Sequence, residues 1–500
     1  MGVKSILIKP FARKIAGELK KWSRDPVAAQ EKVFKNLISK GADTKFGIAH
    51  NFNSIKNHKD FENAVPLRDY EQYKHYIEDI INGEKDVLWP GKPIYFAKTS
   101  GTTSGTKYIP ITKDSIPNHM NSARNALMCY VAEADDASVF DGKMIFLSGS
   151  PELEEKGGIL TGRLSGIVNH HVPGYVRSNQ LPSYKTNIIE DWEVKLEKVI
   201  DETINEDMRL ISGIPPWVLM YYERLIERTG KPVKDIFPNF KVFVHGGVNF
   251  HPYAARLEAA VGKKIPIIET YPSSEGFIAF KDSQYSEGLL LNANSGIYFE
   301  FIPIEEALDA HPTRLSLRDI EVGKNYAIVI NNNAGLWGYM IGDTIKFISK
   351  NPHRIIVTGR IKHYISAFGE HVIADEVEQS LLKIANEDHV NIVEFTVAPQ
   401  VNPQDGGLPY HEWFVEFGQK PADIQKFAAR VDEQLQSRNI YYKDLIDGNI
   451  LKPLKLNVMK QNAFRDYMKN LGKLGGQNKV PRLANDRKVA DELKPYILEN

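Results

Sequence analysis

Hydrophobic and polar positions follow two periods along this chain, and the switches between them mark out its elements. From Asp25 to Gly83 apolar residues recur at helical spacing. Val27-Ala28-Ala29 through Ile38 form one stripe that Gly41 ends, and Leu67-Arg68-Asp69-Tyr70 opens another after Pro66. Ser115 to Ala134 suits a longer helix, and Lys143 to Leu147 a short buried strand. From Asn187 onward helix and strand alternate. The pattern predicts a helix over Ile188 to Ile204, a strand over Arg209 to Ser212, and a helix that Pro215-Pro216 starts and Gly230 ends. A strand Lys241 to Val244, the turn His245-Gly246-Gly247, a helix from Pro252 to Val261 and a strand through Ile265-Pro266-Ile267-Ile268 to Tyr271 follow. That alternation predicts a parallel sheet covered on both faces. Between Leu289 and Ile361 the runs become short: Leu289 to Asn292, Gly296 to Ile302, Tyr326 to Asn331, Thr344 to Ile348 and Arg354 to Val357. They predict a small antiparallel sheet or barrel edge. Mixed helices and strands run on to the end, without an internal repeat.

The chemistry concentrates between two extended runs, Pro93 to Ala97 and Tyr108 to Ile111, in the loop Thr99-Ser100-Gly101-Thr102-Thr103-Ser104-Gly105-Thr106-Lys107. Two glycines let the backbone approach a ligand, while hydroxyls and one ammonium supply donors. That is the chemistry of a polyphosphate grip, although such clusters also occur as plain solvated turns. The spacing excludes a Walker loop, since Thr106 separates Gly105 from Lys107 and a strand follows. Farther along, Tyr271-Pro272-Ser273-Ser274-Glu275-Gly276 places Glu275 just past a buried strand, where open α/β sheets bind ligands. Tyr339-Met340-Ile341-Gly342-Asp343 precedes the run Thr344 to Ile348.

In this order the three stretches resemble the signature of the adenylate-forming superfamily, and within it the auxin-responsive acyl-acid amido synthetases, the Gretchen Hagen family. The Ser-Ser-Glu form of the second stretch, Gly213-Ile214-Pro215-Pro216-Trp217 and the late Gln477-Asn478-Lys479-Val480-Pro481-Arg482 carry the narrower likeness. The resemblance spans the chain. It implies an α/β fold with a large N-terminal domain to residue 360, holding mixed sheets, helices and a small barrel-like part. A mobile α+β domain over 361–500 would follow, swinging on a hinge at 358–366 that includes Thr358 to Ser366. It implies ATP and Mg²⁺ as cofactors, and joining of a small carboxylic acid to an amino acid through an acyl-AMP.

Residue by residue, the resemblance implies that Ser100, Gly101, Thr102, Thr103, Gly105 and Lys107 hold the phosphates. Gly246, Gly247 and Tyr271 would line the adenine pocket, although the glycine pair also suits a tight strand-to-helix turn. Ser274, Asp343 and Arg360 would belong to the nucleotide site, Asp343 on the ribose hydroxyls, and Glu275 would ligate Mg²⁺. Two late lysines are candidates for the adenylation step: Lys479 by motif, and Lys473 in a glycine loop. Trp217, Met220 and Phe277 are candidates for the acyl pocket, and each is also a plausible core residue. This chain departs from plant members after the hinge, where it carries Glu370-His371 in place of an acid-lysine pair. Two rival functions remain open: a coenzyme A ligase of the same superfamily, and a nucleotide-binding protein without turnover.

Composition narrows the setting. Five hundred residues exceed one compact core, so two or more domains are expected. Sixty-three basic residues balance sixty-three acidic ones, which leaves no overall field for nucleic acid. Cys129 is the single cysteine, so no internal disulfide forms; a buried small hydrophobe in a reducing, cytoplasmic setting is expected. The basic, amphipathic stretch from Met1 to Trp22 lacks the apolar core and cleavage site of a secretory signal, and is expected to pack on its own domain. No apolar run is long enough to span a bilayer.

Overall fold

In the computed structural model of the chain, the residues described are 3–100, 106–172, 174–189, 191–247, 250–361, 364–365, 370, 372–404, 407–447, 450–474, 479–484 and 486–498. The chain divides into two compact units. The first comprises Met1–Pro303, His311–Ile341 and Lys346–Ile356; the second comprises Ile304–Ala310, Gly342–Ile345 and Val357–Asn500.

The first unit opens with helices. Val3–Trp22 buries Ala12, Ile15 and Leu19 in a core shared with Ala126, Cys129 and Val131 of Ile116–Ala134, so the basic helix packs as expected. Burial pushes the Cys129 thiol up to about 12, consistent with a packed, unreactive sulfur. Helix Pro26–Gly41 starts where the Asp25 carboxylate accepts from Ala28 N. Helix Tyr70–Ile81 starts with a capping box between Asp69 and Gln72.

Eleven strands form the main sheet. Its order runs from Ile297–Pro303 through Asn325–Asn332, Tyr339–Lys350, His353–Arg360, Leu289–Leu291, Gly276–Phe280, Ile267–Ser273, Val242–Gly246, Met208–Ser212 and Lys143–Phe146 to Gln180–Leu181. The four central strands from Lys143 to Ser273 pair in parallel, as helix–strand alternation predicts. The late short strands are antiparallel where their registers are given, and they continue this same sheet. The pattern of short runs reports strand length and leaves open which edge the strands join. A second sheet, of four strands, joins Thr106–Ile111, Tyr95–Ser100, Ile159–Gly162 and Glu154–Lys156.

Several boundaries differ from expectation, three of them instructively. The helix expected from Ile188 begins instead at Trp192, because the Asp191 carboxylate accepts from Val194 N and fixes the start there. The strand expected to end at Val244 continues to Gly246 through pairing with Ile267–Ser273. The stretch Tyr339 to Asp343 lies inside strand Tyr339–Lys350 and does not precede it. Helix Pro215–Thr229 keeps both expected ends, with proline in its first turn and Gly230 at φ 66°.

The second unit has its own core. Asn391–Gln400 pairs antiparallel with Tyr410–Gln419, which pairs in parallel with Lys455–Val458. Phe395, Trp413 and Val415 pack with Val377 and Leu381 of helix Ala374–Glu387 and with Phe427, Val431 and Leu435 of helix Ile424–Arg438. No helix among the described residues is long and apolar enough to cross a membrane.

Candidate active site

The phosphate-loop stretch is flanked by two antiparallel strands, Tyr95–Ser100 and Thr106–Ile111, with Ser100 opposite Thr106. Gly101, Thr102, Thr103 and Gly105 lie outside the described residues, and of Ser100 only the backbone is described. Lys107 stands on the outgoing strand, with its ammonium 5.5 Å from the centre of the Tyr70 ring. Tyr108 N, the next amide, donates to the Tyr70 phenol oxygen at 2.8 Å.

Glu275 sits in the turn of a hairpin between Ile267–Ser273 and Gly276–Phe280. Side-chain amides hold this turn. Asn332 Nδ2 donates to the Glu275 carbonyl at 2.6 Å, and Asn118 takes both backbone groups of Phe277, accepting its N–H at 2.7 Å and donating to its oxygen at 3.3 Å. Ser274 lies beside Glu275 in the same turn. Tyr271 is buried on the incoming strand. Gly246 lies against Thr270 of that strand, where a Cβ would come within 2.4 Å of the Thr270 carbonyl oxygen. Only glycine fits there. Gly247 follows the strand at φ 78°, a conformation that favours glycine.

Tyr339 links these pieces within the first unit. Burial raises its phenol pKa well above the ordinary value, and the charges of Glu275, Tyr70 and Tyr73 push it the same way. Arg68 brackets it through the backbone: Arg68 N donates to Gly338 O and Met340 N donates to Arg68 O, both at 2.9 Å. Neither Tyr70 nor the asparagines stood out in the sequence, because their value lies in contacts across tens to hundreds of residues.

The second unit gathers three of the expected residues. Asp343 follows Gly342, which adopts φ 83°, and its carboxylate accepts from Arg360 Nε at 2.6 Å. Lys479 belongs to the same electrostatic neighbourhood. Desolvation lowers its pKa to about 8, with Asp343 pulling it up and Arg360 pushing it down. The residue is nevertheless exposed, so contact with water limits that depression. Lys473 is exposed too, and its backbone amide closes onto Met468 O at 2.9 Å. Of the two lysines, Lys479 is the one whose charge these groups feel. Lys362, His363, Ser366 and His371 lie outside the described residues, while Glu370 is buried and accepts from His411 Nε2 at 2.9 Å.

Of the three acyl-pocket candidates, Trp217 and Met220 share helix Pro215–Thr229, and Phe277 lies in a different core. Trp217 packs on Trp192 with ring centroids 4.7 Å apart, and Met220 borders the core of Val218, Leu219 and Tyr222. Phe277 belongs to another core, with Ala126, Phe280 and Leu290. Each packs in a core, and apolar character in the sequence does not distinguish a core position from a pocket wall.

Among the described residues no three or more His, Cys, Asp or Glu side chains gather as a metal cage. A magnesium ion that arrives on ATP takes most of its oxygens from phosphate and water, so one carboxylate such as Glu275 is a fitting donor set.

Comparisons with known proteins agree along the chain. The GH3 family N-terminal domain matches residues 15–183, the GH3 family central domain 290–360 and the GH3 family C-terminal domain 375–488. A jasmonoyl–L-amino acid synthetase of Nicotiana attenuata, JAR4, is 23% identical over 92% of this chain and 91% of its own. An indole-3-acetic acid-amido synthetase of Arabidopsis thaliana, GH3.3, is 24% identical over 96% of this chain and 93% of its own. In fold, the chain matches the GH3.15 acyl acid amido synthetase with a TM-score of 0.78 at 16% identity, covering 96% of this chain and 95% of that one. It matches a 2-hydroxyisobutyryl-CoA ligase in its postadenylation state with a TM-score of 0.56 at 13% identity, over 96% and 91%. Taken with the ordered stretches around Lys107, Glu275 and Asp343, these matches mean that the chain belongs to the GH3 family of acyl acid amido synthetases.

Proposed function

We propose that the chain uses ATP and Mg²⁺ to adenylate a small carboxylic acid and then passes the acyl group to an amino acid, in the cytoplasm. The observation that carries this reading is the grouping of Asp343, Arg360 and Lys479, an acceptor for ribose hydroxyls beside two cations suited to an anionic phosphate. In the first step a carboxylate oxygen attacks the α-phosphorus, the bond to the β-phosphate oxygen breaks, and pyrophosphate leaves. In the second, an amine attacks the acyl carbon, the bond to AMP breaks, and the nitrogen loses a proton. Both reactants of the first step are anions, so preorganised positive charge and donors are what the site must supply.

Lys107 and the hydroxyls of the phosphate loop hold the outer phosphates in this reading. Glu275 would hold the magnesium, which neutralises phosphate charge. Asp343 takes the ribose, Arg360 orients Asp343, and Lys479 stabilises charge at the α-phosphate. The hinge at 358–366 lets residues 361–500 change place between the two steps.

Pyrophosphate and AMP release, measured with ATP, Mg²⁺ and a panel of aryl and aliphatic acids, tests this directly. We expect acid-dependent pyrophosphate release, followed by AMP release only when an amino acid is added. Lys107→Ala and Asp343→Ala should each lower pyrophosphate release by about 10²–10³-fold. A variant that keeps near-normal release removes its residue from the site. AMP release driven by coenzyme A alone makes the protein a thioester ligase, and ATP binding without cleavage across the panel makes it a non-catalytic binder.

A further inference from the structure

Tyr70 opens helix Tyr70–Ile81 and is 5% exposed, yet it is more than filling for the core. Its ring lies beneath the Lys107 ammonium at 5.5 Å, and its phenol oxygen receives the Tyr108 amide at 2.8 Å. The two contacts fall on consecutive residues of one strand, immediately after the phosphate loop. A lysine side chain has four rotatable bonds, and ordering it at a ligand costs up to about 2 kcal/mol of rotamer freedom. An aromatic face under the ammonium restricts that freedom in advance and adds a cation–π attraction.

Tyr70 is itself firmly held. The Asp69 carboxylate accepts from Glu71 N at 3.0 Å and Gln72 N at 3.3 Å, and Gln72 Oε1 accepts from Asp69 N at 3.0 Å. One turn later the Tyr73 phenol donates to Trp337 O at 2.6 Å and accepts from Trp337 N at 2.7 Å. Together with the Arg68 backbone pairing to Gly338 and Met340, these bonds fix Arg68 to Tyr73 against the strand that begins at Tyr339. The same short segment therefore grips two stretches that lie about 230 residues apart in sequence.

We propose that Tyr70 is a positioning residue that, with its ring under the ammonium and its phenol oxygen anchoring the Tyr108 amide, sets the Lys107 ammonium for the outer phosphates of ATP. The inference rests on the reading of Lys107 as a phosphate ligand. It assigns Tyr70 no contact with the nucleotide; its effect passes through Lys107.

A double-mutant cycle on ATP affinity separates the possibilities and needs no identified acid substrate. Mg²⁺–ATP is titrated calorimetrically into the full chain as wild type, Tyr70→Leu, Tyr70→Phe, Lys107→Ala and both Tyr70 changes combined with Lys107→Ala. Melting temperatures are recorded alongside. Tyr70→Leu is expected to weaken ATP binding by about 2- to 30-fold, the range that a cation–π contact spans. Tyr70→Phe, which keeps the ring, should lose less. In the Lys107→Ala background neither change should weaken binding further. If Tyr70→Leu costs the same with and without Lys107, the inference is overturned while the phosphate role of Lys107 stands. If Lys107→Ala alone leaves ATP affinity unchanged, that role fails first and the inference falls with it. Should Tyr70→Leu not fold, the Tyr70→Phe cycle answers for the phenol oxygen: a loss that persists without Lys107 overturns the coupling.

Discussion

Replacing Lys479 by alanine is expected to lower acid-dependent pyrophosphate release by about 10²–10³-fold, the usual loss when one preorganised charge is removed. The fold should tolerate the change, because the side chain is exposed and leaves no core cavity behind. Lys473→Ala, at the other exposed lysine, should stay near the wild-type rate. The role depends on charge, which gives it a pH signature. Desolvation lowers the Lys479 pKa to about 8, against the pull of Asp343. Contact with water limits that shift, so the ammonium is present at neutral pH and is lost as pH rises from about 8 toward the ordinary lysine range, and pyrophosphate release should fall on that alkaline side. Arginine stays charged over this range. Lys479→Arg should flatten the alkaline fall even where its geometry costs rate. A fall that persists unchanged in Lys479→Arg would assign it to another group, and a large loss in Lys473→Ala would move the adenylation role to that lysine.

Much of this architecture is legible in the sequence because local chemistry decides it. The two ends of Pro215–Thr229 follow from proline and glycine, and the strands on either side of the glycine-rich loop follow from the extended runs that flank it. The order of the Lys107, Glu275 and Asp343 stretches likewise points to the superfamily, and the Ser-Ser-Glu form, Gly213 to Trp217 and Gln477 to Arg482 narrow it to the family. What remains illegible depends on partners distant in sequence. Residues Ile304–Ala310 and Gly342–Ile345 join the second unit although both lie well before its main body. The late antiparallel strands extend the main sheet because edge pairing, absent from any periodicity, decides where they go. Trp217 and Phe277 read alike as apolar candidates, yet they serve different cores. Asn118 and Asn332 are ordinary polar residues until the hairpin that carries Glu275 is seen resting on them.

Glu300→Gln should destabilise the first unit by about 3–5 kcal/mol, the cost of breaking a buried ion pair by removing one partner. Glu300 is fully buried on strand Ile297–Pro303, where the pattern of the run calls for an apolar side chain. Four donors explain its place. Arg314 binds it through Nε at 3.0 Å and Nη2 at 2.7 Å, Asn331 Nδ2 donates at 2.9 Å, and His58 Nε2 donates at 2.8 Å. Arg314 also donates to Val65 O, so the cluster ties the helix His58–Ala64 and the segment after it to two sheet strands. Burial pushes the Glu300 carboxyl up, but the Arg314 charge and the bonds from His58 and Arg314 outweigh it and hold the pKa at about 2, below the ordinary 4.5. Its folded pKa is thus depressed, so its contribution is fully present above about pH 4.5 and is lost as pH falls toward about 2. Urea unfolding followed at several pH values should show wild-type stability declining across that acid window and Glu300→Gln declining less steeply. Since two units need not unfold together, the transition is best followed through Trp337 and the aromatic residues around it, which belong to the first unit. Replacing both partners, as in Glu300→Met with Arg314→Met, should recover much of the loss, because no unpaired charge then remains buried. If the double variant is no more stable than Glu300→Gln, the cluster stabilises the unit by shape and hydrogen-bond geometry rather than by pairing its charges.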